Sequence, residues 1–297
     1  MKLRFAIFLL VSVSIFWSCE DQIIEEYKAN VPQYLSYEDL RSSIQTSEAT
    51  ELENPGKIYF YNDYLFVNEY TEGIHIIDNS DPSNPENIAY ISIPGNVDIA
   101  VKNDILYADS YIDIVALDIS NLENITEVDR IKDIIPYTLP PYDENYRVDE
   151  IDRDKGVVIG WEIKKIEKEV TSPNYPIYLD YGLKSSMINS SSSYSGREIS
   201  FGVGGSMARF TIYQNYLYTI DNAMLNIIDI SDYSNLINTS TCYLGWGIET
   251  IFPHGDNLFI GSQSGMLIYD VSNPITPVKL SQYSHITNCD PVVVNDT

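Results

Sequence analysis

The chain has 297 residues and carries 18 Lys and Arg against 43 Asp and Glu, which gives a formal net charge of −25. A surface this acidic repels phosphate backbones and argues against a nucleic-acid partner. The chain contains only three cysteines, too few for a disulfide framework in a protein of this size.

Residues 1–18 have the pattern of an export signal. Lys2 and Arg4 precede the apolar run "FAIFLLVSVSIFW", which is shorter than the roughly 20 residues that a membrane span requires. Ser18-Cys19 follows the run, and the segment resembles a lipoprotein signal of the kind found in Bacteroidota. The resemblance implies that Cys19 is lipidated and that the protein is held on the outer membrane, at the cell surface. The alternative is a cleaved secretory signal in which Cys19 is incidental.

Residues 19–56 are predicted to form an acidic tether between this anchor and the folded part. The tether begins "CEDQ", a start that resembles the acidic stretch that directs such lipoproteins to the cell surface. Within it, "SYEDLRSSI" predicts one short helical turn capped by Ser36.

A repeat of about 40 residues covers the rest of the chain. Each copy has a β-branched strand that ends at an aspartate followed by x-Ser and then Asp or Asn. Upstream of it, two apolar strands are joined at a tight Asn-Asp-like turn, and a fourth strand follows the Asp-x-Ser turn. Four strands in about 40 residues indicate a propeller blade. The terminal aspartates of the four clear copies are Asp78, Asp118, Asp229 and Asp270. The predicted fold over 57–297 is therefore an all-β propeller of four-stranded antiparallel blades.

A further copy is predicted at 148–163, "VDEIDRDKGVVIGWEI", which would be the third of five blades. An insertion at 164–206 interrupts this copy with tyrosines spaced among Ser, Pro and Asn. Rigid aromatic side chains in a polar context suit a recognition surface. Serine-rich low complexity equally suits a disordered loop, and the sequence leaves both interpretations open.

The pentapeptides "IHIID", "IVALD", "LNIID" and "MLIYD" resemble the LVIVD repeat, which is named for such a strand and its aspartate. The resemblance implies a β-propeller, often in bacterial surface or secreted proteins. It implies no established activity, cofactor or substrate for this chain.

The repeated aspartate has two interpretations. Its carboxylate can accept hydrogen bonds from backbone N–H groups two residues on and close the turn after the strand. The alternative is a calcium loop at "DNSDPSN", residues 78–84, but this stretch lacks the Gly and Glu positions of an EF-hand loop. We therefore expect a turn role and no cofactor, with calcium as the alternative.

One column of charged residues recurs at the first strand of the predicted blades: Asp98, Glu150, Glu249 and Asp290, with Arg209 interrupting it. First strands line the channel of a propeller, so these carboxylates could hold a cation or a polar ligand there. The alternative is that each accepts hydrogen bonds between blades. None of the three histidines stands in a metal-binding spacing.

These patterns favour a lipid-anchored binding or scaffold module for a protein or glycan over an enzyme with its site at the channel mouth. The chain ends "CDPVVVNDT", which aligns with "VDIAVKNDI" and places Asp290 on Asp98. We expect residues 290–295 to form a lone first strand, so that five blades and one orphan strand make an incomplete ring.

Overall fold

The computed structural model describes residues 23–170 and 208–284. These residues fall into two compact units. The smaller unit contains residues 23–34, 140–152 and 158–170 of the described chain, and the larger one, the blade unit, contains 35–139, 153–157 and 208–284.

The blade unit holds four antiparallel sheets, each formed by consecutive strands. Blade 1 comprises β3 (Pro55–Tyr61), β4 (Tyr64–Glu69), β5 (Gly73–Asp78) and β6 (Glu86–Ser92), and β2 (Gln45–Glu48) pairs with β6 as an outer fifth strand. Blade 2 comprises β7 (Ile99–Lys102), β8 (Ile105–Ser110), β9 (Asp113–Asp118) and β10 (Thr126–Ile131). Blade 3 comprises β13 (Phe210–Tyr213), β14 (Tyr216–Ile220), β15 (Met224–Asp229) and β16 (Ile237–Tyr243). Blade 4 comprises β17 (Ile248–His254), β18 (Asn257–Ser262), β19 (Gly265–Asp270) and β20 (Val278–Ser284).

The predicted hairpins between the first two strands of each blade are confirmed. Each blade joins these strands through a two-residue loop. The first loop residue has a left-handed backbone in every blade: φ is 53° at Asn62, 51° at Asn103, 51° at Gln214 and 56° at Gly255. This backbone suits the right-handed twist of paired strands, and Asn and Gly adopt it at low cost.

The blades pack face to face in the order 1, 2, 3, 4. Phe66 of blade 1 lies in one apolar cluster with Leu106 of blade 2. Tyr107 of blade 2 lies with Leu217 of blade 3, and Tyr218 of blade 3 lies in a cluster with residues of blade 4. Burial of such side chains contributes about 1.5–3 kcal/mol each. The core of the unit is therefore a series of inter-blade layers, and blade 3 follows blade 2 directly.

The prediction of a blade at 148–163 is wrong. Its strands β11 (Arg147–Val148) and β12 (Val157–Val170) both pair with β1 (Ile23–Leu35), which lies between them in a three-stranded sheet. The pairing of β1 with β11 is parallel. A 3-10 turn at Arg153–Lys155 and Gly156, with φ 125°, stand where the other copies have a two-residue hairpin loop. The position between the two strands is occupied by β1, so they do not pair with each other.

The predicted tether also differs from the structure, since residues 23–48 contain β1, the helix α1 (Tyr37–Ser42) and β2. The cap prediction is confirmed, because Ser36 Oγ accepts a hydrogen bond from the Asp39 N–H at 3.0 Å. Asn30 in β1 donates to the carbonyls of Asp143 and Tyr146 at 2.9 and 2.8 Å. These bonds join β1 to a segment more than a hundred residues away, which local sequence patterns cannot reveal.

Several predictions fall outside the described residues. These are the lipidation site Cys19, residues 171–206 of the insertion, and the strand at 290–295 with Asp290. Residues 164–170 of the predicted insertion belong to β12. Among the helices in the described ranges, none has the length and apolarity needed to cross a membrane.

Candidate functional site

Asp98 is buried where blades 1, 2 and 3 meet, with 1% of its surface exposed. Its Oδ1 forms an ion pair with Lys57 Nζ of blade 1. Its Oδ2 accepts hydrogen bonds from the backbone N–H groups of Arg209 and, at 2.9 Å, Phe210. Asp98 therefore uses its carboxylate as an acceptor between blades, the structural alternative that the sequence offers. Arg209, which interrupts the carboxylate column, contributes its backbone here.

No contact of Asp98 within the described ranges involves another carboxylate of the predicted column. Glu249 is half-buried in β17, at a register shift between Ile248 and Thr250. Glu150 is exposed and belongs to the smaller unit, and Asp290 lies beyond the described residues. Over residues 23–170 and 208–284, no three His, Cys, Asp or Glu side chains form a group that could hold a metal ion.

Asp109, near the end of β8, is a buried carboxylate that the sequence did not indicate. Its Oδ1 accepts from the N–H groups of Val97 and Asp98 at 2.7 and 2.9 Å and from Asn96 Nδ2 at 2.9 Å. Burial raises the pKa of Asp109 to about 6, and its backbone hydrogen bonds only partly oppose this. The only sequence signal is an acidic residue inside a strand of otherwise apolar character.

A second buried polar pair holds the segment that leads into blade 1. His75 Nε2 lies 3.0 Å from Glu69 Oε2, and the histidine is fully buried. Glu69 also accepts from the backbone N–H groups of Glu53, at 3.1 Å, and Asn54. The glutamate thus fixes residues 53–54 against β4, and its role is structural.

The turn interpretation of the repeated aspartates is confirmed. In every blade the aspartate Oδ1 accepts a hydrogen bond from the backbone N–H two residues on, at 2.8–2.9 Å: Asp78 from Ser80, Asp118 from Ser120, Asp229 from Ser231 and Asp270 from Ser272. Hydrogen bonds from these serines lower the pKa of Asp78, Asp118 and Asp270. The carboxylates of this motif close turns within their own blades.

A third set of contacts joins the first hairpin of each blade to that of the next. Tyr61 Oη donates to Asp104 Oδ1 at 3.1 Å, and Tyr213 Oη donates to Asp256 Oδ1 at the corresponding positions of blades 3 and 4. Lys102 stands at the same position in blade 2 and donates to Asn215 Oδ1 at 2.9 Å. The three links occupy one register position and repeat along the blade unit.

Next to the first of these links lies an open cleft of about 360 Å³, here called the edge cleft. It lies between the β3–β4 hairpin of blade 1 and the β9–β10 turn of blade 2. Its lining combines aromatic, acidic and amide side chains: Tyr61, Asn62, Tyr64, Phe66, Asp104, Ile119, Ser120, Asn121, Leu122 and Glu123. The lining surface is mainly polar, with a smaller aromatic and apolar part.

The corresponding position between blades 3 and 4 is built differently. There Tyr218 Oη donates to the Pro274 carbonyl at 2.9 Å and so bridges the two blades. Phe66 stands at the Tyr218 position in blade 1, as the strand registers show, and it has no hydroxyl group to make this bridge.

Comparison with known proteins supports the repeat. The LVIVD repeat matches residues 56–90, 204–243 and 251–284, which cover most of blades 1, 3 and 4. No curated protein matches the chain.

Three solved structures illustrate the likeness in fold. A protein from Lactobacillus plantarum is 13% identical with a TM-score of 0.48, over 80% of this chain and 58% of that one, so the chain spans little more than half of that structure. A functionally unknown protein from Desulfotomaculum acetoxidans is 12% identical with a TM-score of 0.40, over 80% and 72%. The β-propeller domain of Cps50 (Swd1) from Myceliophteria thermophila is 12% identical with a TM-score of 0.35, over 82% and 75%. With its four-stranded antiparallel sheets, the chain carries LVIVD repeats on an all-β, propeller-type fold.

Proposed function

We propose that the protein is a binding or scaffold module that a lipid on Cys19 holds at the outer membrane, facing outward. The observation that carries the binding role is the edge cleft, which is concave and combines aromatic with polar side chains. Asp98 and the turn aspartates are, in contrast, engaged in the hydrogen bonds that hold the blades. The framework is thus fixed by its own polar groups, and the cleft is available to a partner.

The anchor rests on the sequence of residues 1–19, with its basic start, its short apolar run and Ser18-Cys19. The several acyl chains of a lipoprotein cysteine anchor a protein stably, whereas a single chain does not. Growth with a labelled fatty acid should label the wild type and not the Cys19→Ser variant. The same variant should leave the membrane fraction, and its retention there would contradict the anchor.

Asp98 does not favour the alternative of an enzyme or a cation site at the channel mouth. Its carboxylate already contacts Lys57 and two backbone N–H groups, so a ligand would have to displace them. A partner of protein or glycan type fits the proposal, and the acidic surface disfavours nucleic acid.

The binding role can be tested by affinity capture from intact cells with the wild type and with a chain lacking residues 171–206. The deletion removes no residue of β12 or of any other described strand. We expect the wild type to recover a saturable partner. If the deletion recovers it equally, the insertion is not the recognition surface. Capture no greater than that of a heat-unfolded sample would contradict the binding role.

A further inference from the structure

We propose that the edge cleft binds a positively charged side chain, of the arginine or lysine type, presented by a partner protein. This inference rests on the proposed binding function and names the chemistry that the cleft selects. Three observations on the described residues support it: the charge of the lining, its aromatic surface and the use of the same chemistry elsewhere in the chain.

The lining of the cleft carries negative charge that no basic residue of the lining neutralises. Asp104 and Glu123 are its charged residues, and none of the ten lining residues is Lys, Arg or His. Asp104 is held in place, because its Oδ1 accepts from Tyr61 Oη at 3.1 Å and its backbone N–H donates to Tyr61 Oη at 3.0 Å. A carboxylate positioned in this way attracts a cation without having to be ordered first. The net charge of −25 adds a long-range attraction of the same sign.

The walls supply aromatic surface beside the carboxylates. Tyr61 and Tyr64 are half-buried, so each is partly fixed by packing and partly accessible from the cleft. A guanidinium or ammonium group is attracted to the face of an aromatic ring, and the attraction grows as water is excluded. Aromatic rings next to carboxylates therefore suit a cation better than either group alone.

The same chemistry already operates within the blade unit. The Arg153 guanidinium lies 4.9 Å from the ring centroid of Tyr137, and the Arg41 guanidinium lies 5.3 Å from that of Tyr37. Arg41 also binds the carboxylate of Asp113, with Nε 2.9 Å from Oδ2. Arg41 thus combines an aromatic ring with a carboxylate, which is the combination that the edge cleft offers to a partner.

The edge cleft differs in one side chain from the junction between blades 3 and 4. Between blades 3 and 4 the Tyr218 hydroxyl reaches the Pro274 carbonyl. Between blades 1 and 2, Phe66 cannot reach the equivalent carbonyl, that of Leu122, through a hydroxyl. We expect a Phe66→Tyr variant to place a hydroxyl group at the Leu122 side of the cleft and to occupy part of it, so this residue provides a test that removes no charge.

A neutral sugar is the competing ligand, because aromatic rings and amides also bind carbohydrates. The two carboxylates favour the cation, and ionic strength separates the two cases. Binding of a cation should weaken as salt is raised, because added ions screen the carboxylates. Binding of a neutral sugar should not change in this way.

The test is a calorimetric or NMR titration of the full chain with three blocked tripeptides, Gly-Arg-Gly, Gly-Lys-Gly and Gly-Gln-Gly, and with a neutral disaccharide. We expect the arginine peptide to bind with a millimolar Kd, at least about fivefold more tightly than the glutamine peptide. Asp104→Asn and Glu123→Gln should each weaken binding by about fivefold, and Phe66→Tyr should weaken it as well. The amide oxygen introduced by Asp104→Asn still accepts a hydrogen bond from Tyr61, so this variant should retain the fold.

The matched control is Asp63→Asn. Asp63 is the blade 1 counterpart of Asp104, at the second position of its hairpin loop, and it does not line the cleft. This control variant should bind the arginine peptide like the wild type. Circular dichroism and thermal unfolding of each variant identify any loss of fold.

Equal binding of the glutamine peptide, tighter binding of the disaccharide or no binding below about 10 mM peptide would overturn the inference. If the peptides fail while the chain still captures a partner from cells, the proposed function stands and the edge cleft is not its site. If both fail, both proposals are wrong.

Discussion

The Tyr61 hydroxyl and the Asp104 carboxylate lie 3.1 Å apart and join the first hairpins of blades 1 and 2. Tyr213 and Asp256 make the same contact between blades 3 and 4. Because the link sits at one register position in each blade, it fixes how far one blade slides along the next. It also orients one of the two carboxylates of the edge cleft.

Replacing Tyr61 by Phe tests this link. The change removes the bond that Tyr61 donates to Asp104 and the bond that it accepts from the Asp104 N–H. Both are at the surface, so we expect the free energy of unfolding to fall by about 0.5–1.5 kcal/mol. Chemical denaturation measures it, with Tyr243→Phe on an exposed edge as the control. An effect no larger than that of the control would show that the link does not hold the blades.

Asp98 is expected to be essential for stability. The Lys57 side chain that pairs with Asp98 is only 9% exposed. Asp98→Asn therefore leaves a buried cation without its carboxylate partner. Breaking one side of a buried pair typically costs about 3–5 kcal/mol. The half-buried Glu249→Gln is the matched control and should cost under about 1 kcal/mol. Equal losses in urea unfolding would contradict the structural role of Asp98.

The buried carboxyl of Asp109 predicts a pH dependence of stability. Burial raises its pKa to about 6 from the usual 3.8, so the folded state binds this proton more tightly than the unfolded state. The stabilisation that the protonated Asp109 contributes is therefore complete below about pH 4 and is lost as the pH rises through 6. The corresponding change in the free energy of unfolding is about 2–3 kcal/mol. The charge of Asp98 also raises the pKa of Asp109, whereas the charge of Arg209 lowers it.

The Asp109→Asn variant isolates this contribution. The difference in unfolding free energy between wild type and variant should fall between pH 4 and pH 7, because the other carboxylates are common to both proteins. A difference that stays constant over this range would show that Asp109 titrates normally.

Asp113 is the centre of a second buried charge cluster. Its carboxylate is fully buried and lies 2.9 Å from Arg41 Nε and 3.2 Å from Arg130 Nη1. Burial alone would raise the pKa of Asp113, but the hydrogen bonds from Arg41, the Asp133 backbone and Arg130 outweigh it and lower the pKa. Asp113→Asn should therefore cost about 3 kcal/mol or more. Arg41→Ala removes only the more exposed partner of Asp113 and should lower the free energy of unfolding by less. A larger loss for Arg41→Ala than for Asp113→Asn in denaturant unfolding would contradict the central role of Asp113.

The blades could be predicted from the sequence because their signals are local. The Asn-Asp-like loops and the Asp-x-Ser turns each lie within a few residues, and both appear in the structure as expected. The sheet of β11, β1 and β12 could not be predicted, since its central strand comes from over a hundred residues away.

The candidate sites were predictable only in part. The carboxylate column identified Asp98, but its partners Lys57 and Phe210 come from two other blades, so its structural role is visible only in three dimensions. Glu150 entered the column through a copy that does not form a blade. The edge cleft could not be predicted because it is formed by two turns, each of which has an ordinary turn sequence and a structural role of its own.

The edge cleft is tested most directly by mapping the arginine tripeptide onto the chain by amide NMR of isotope-labelled protein. We predict shift changes at residues 61–66 and 119–123 that saturate with one affinity, and none at the corresponding turn of blade 4, residues 271–275. Equal changes at both turns, or changes confined to other surfaces, would contradict the edge cleft as the binding site.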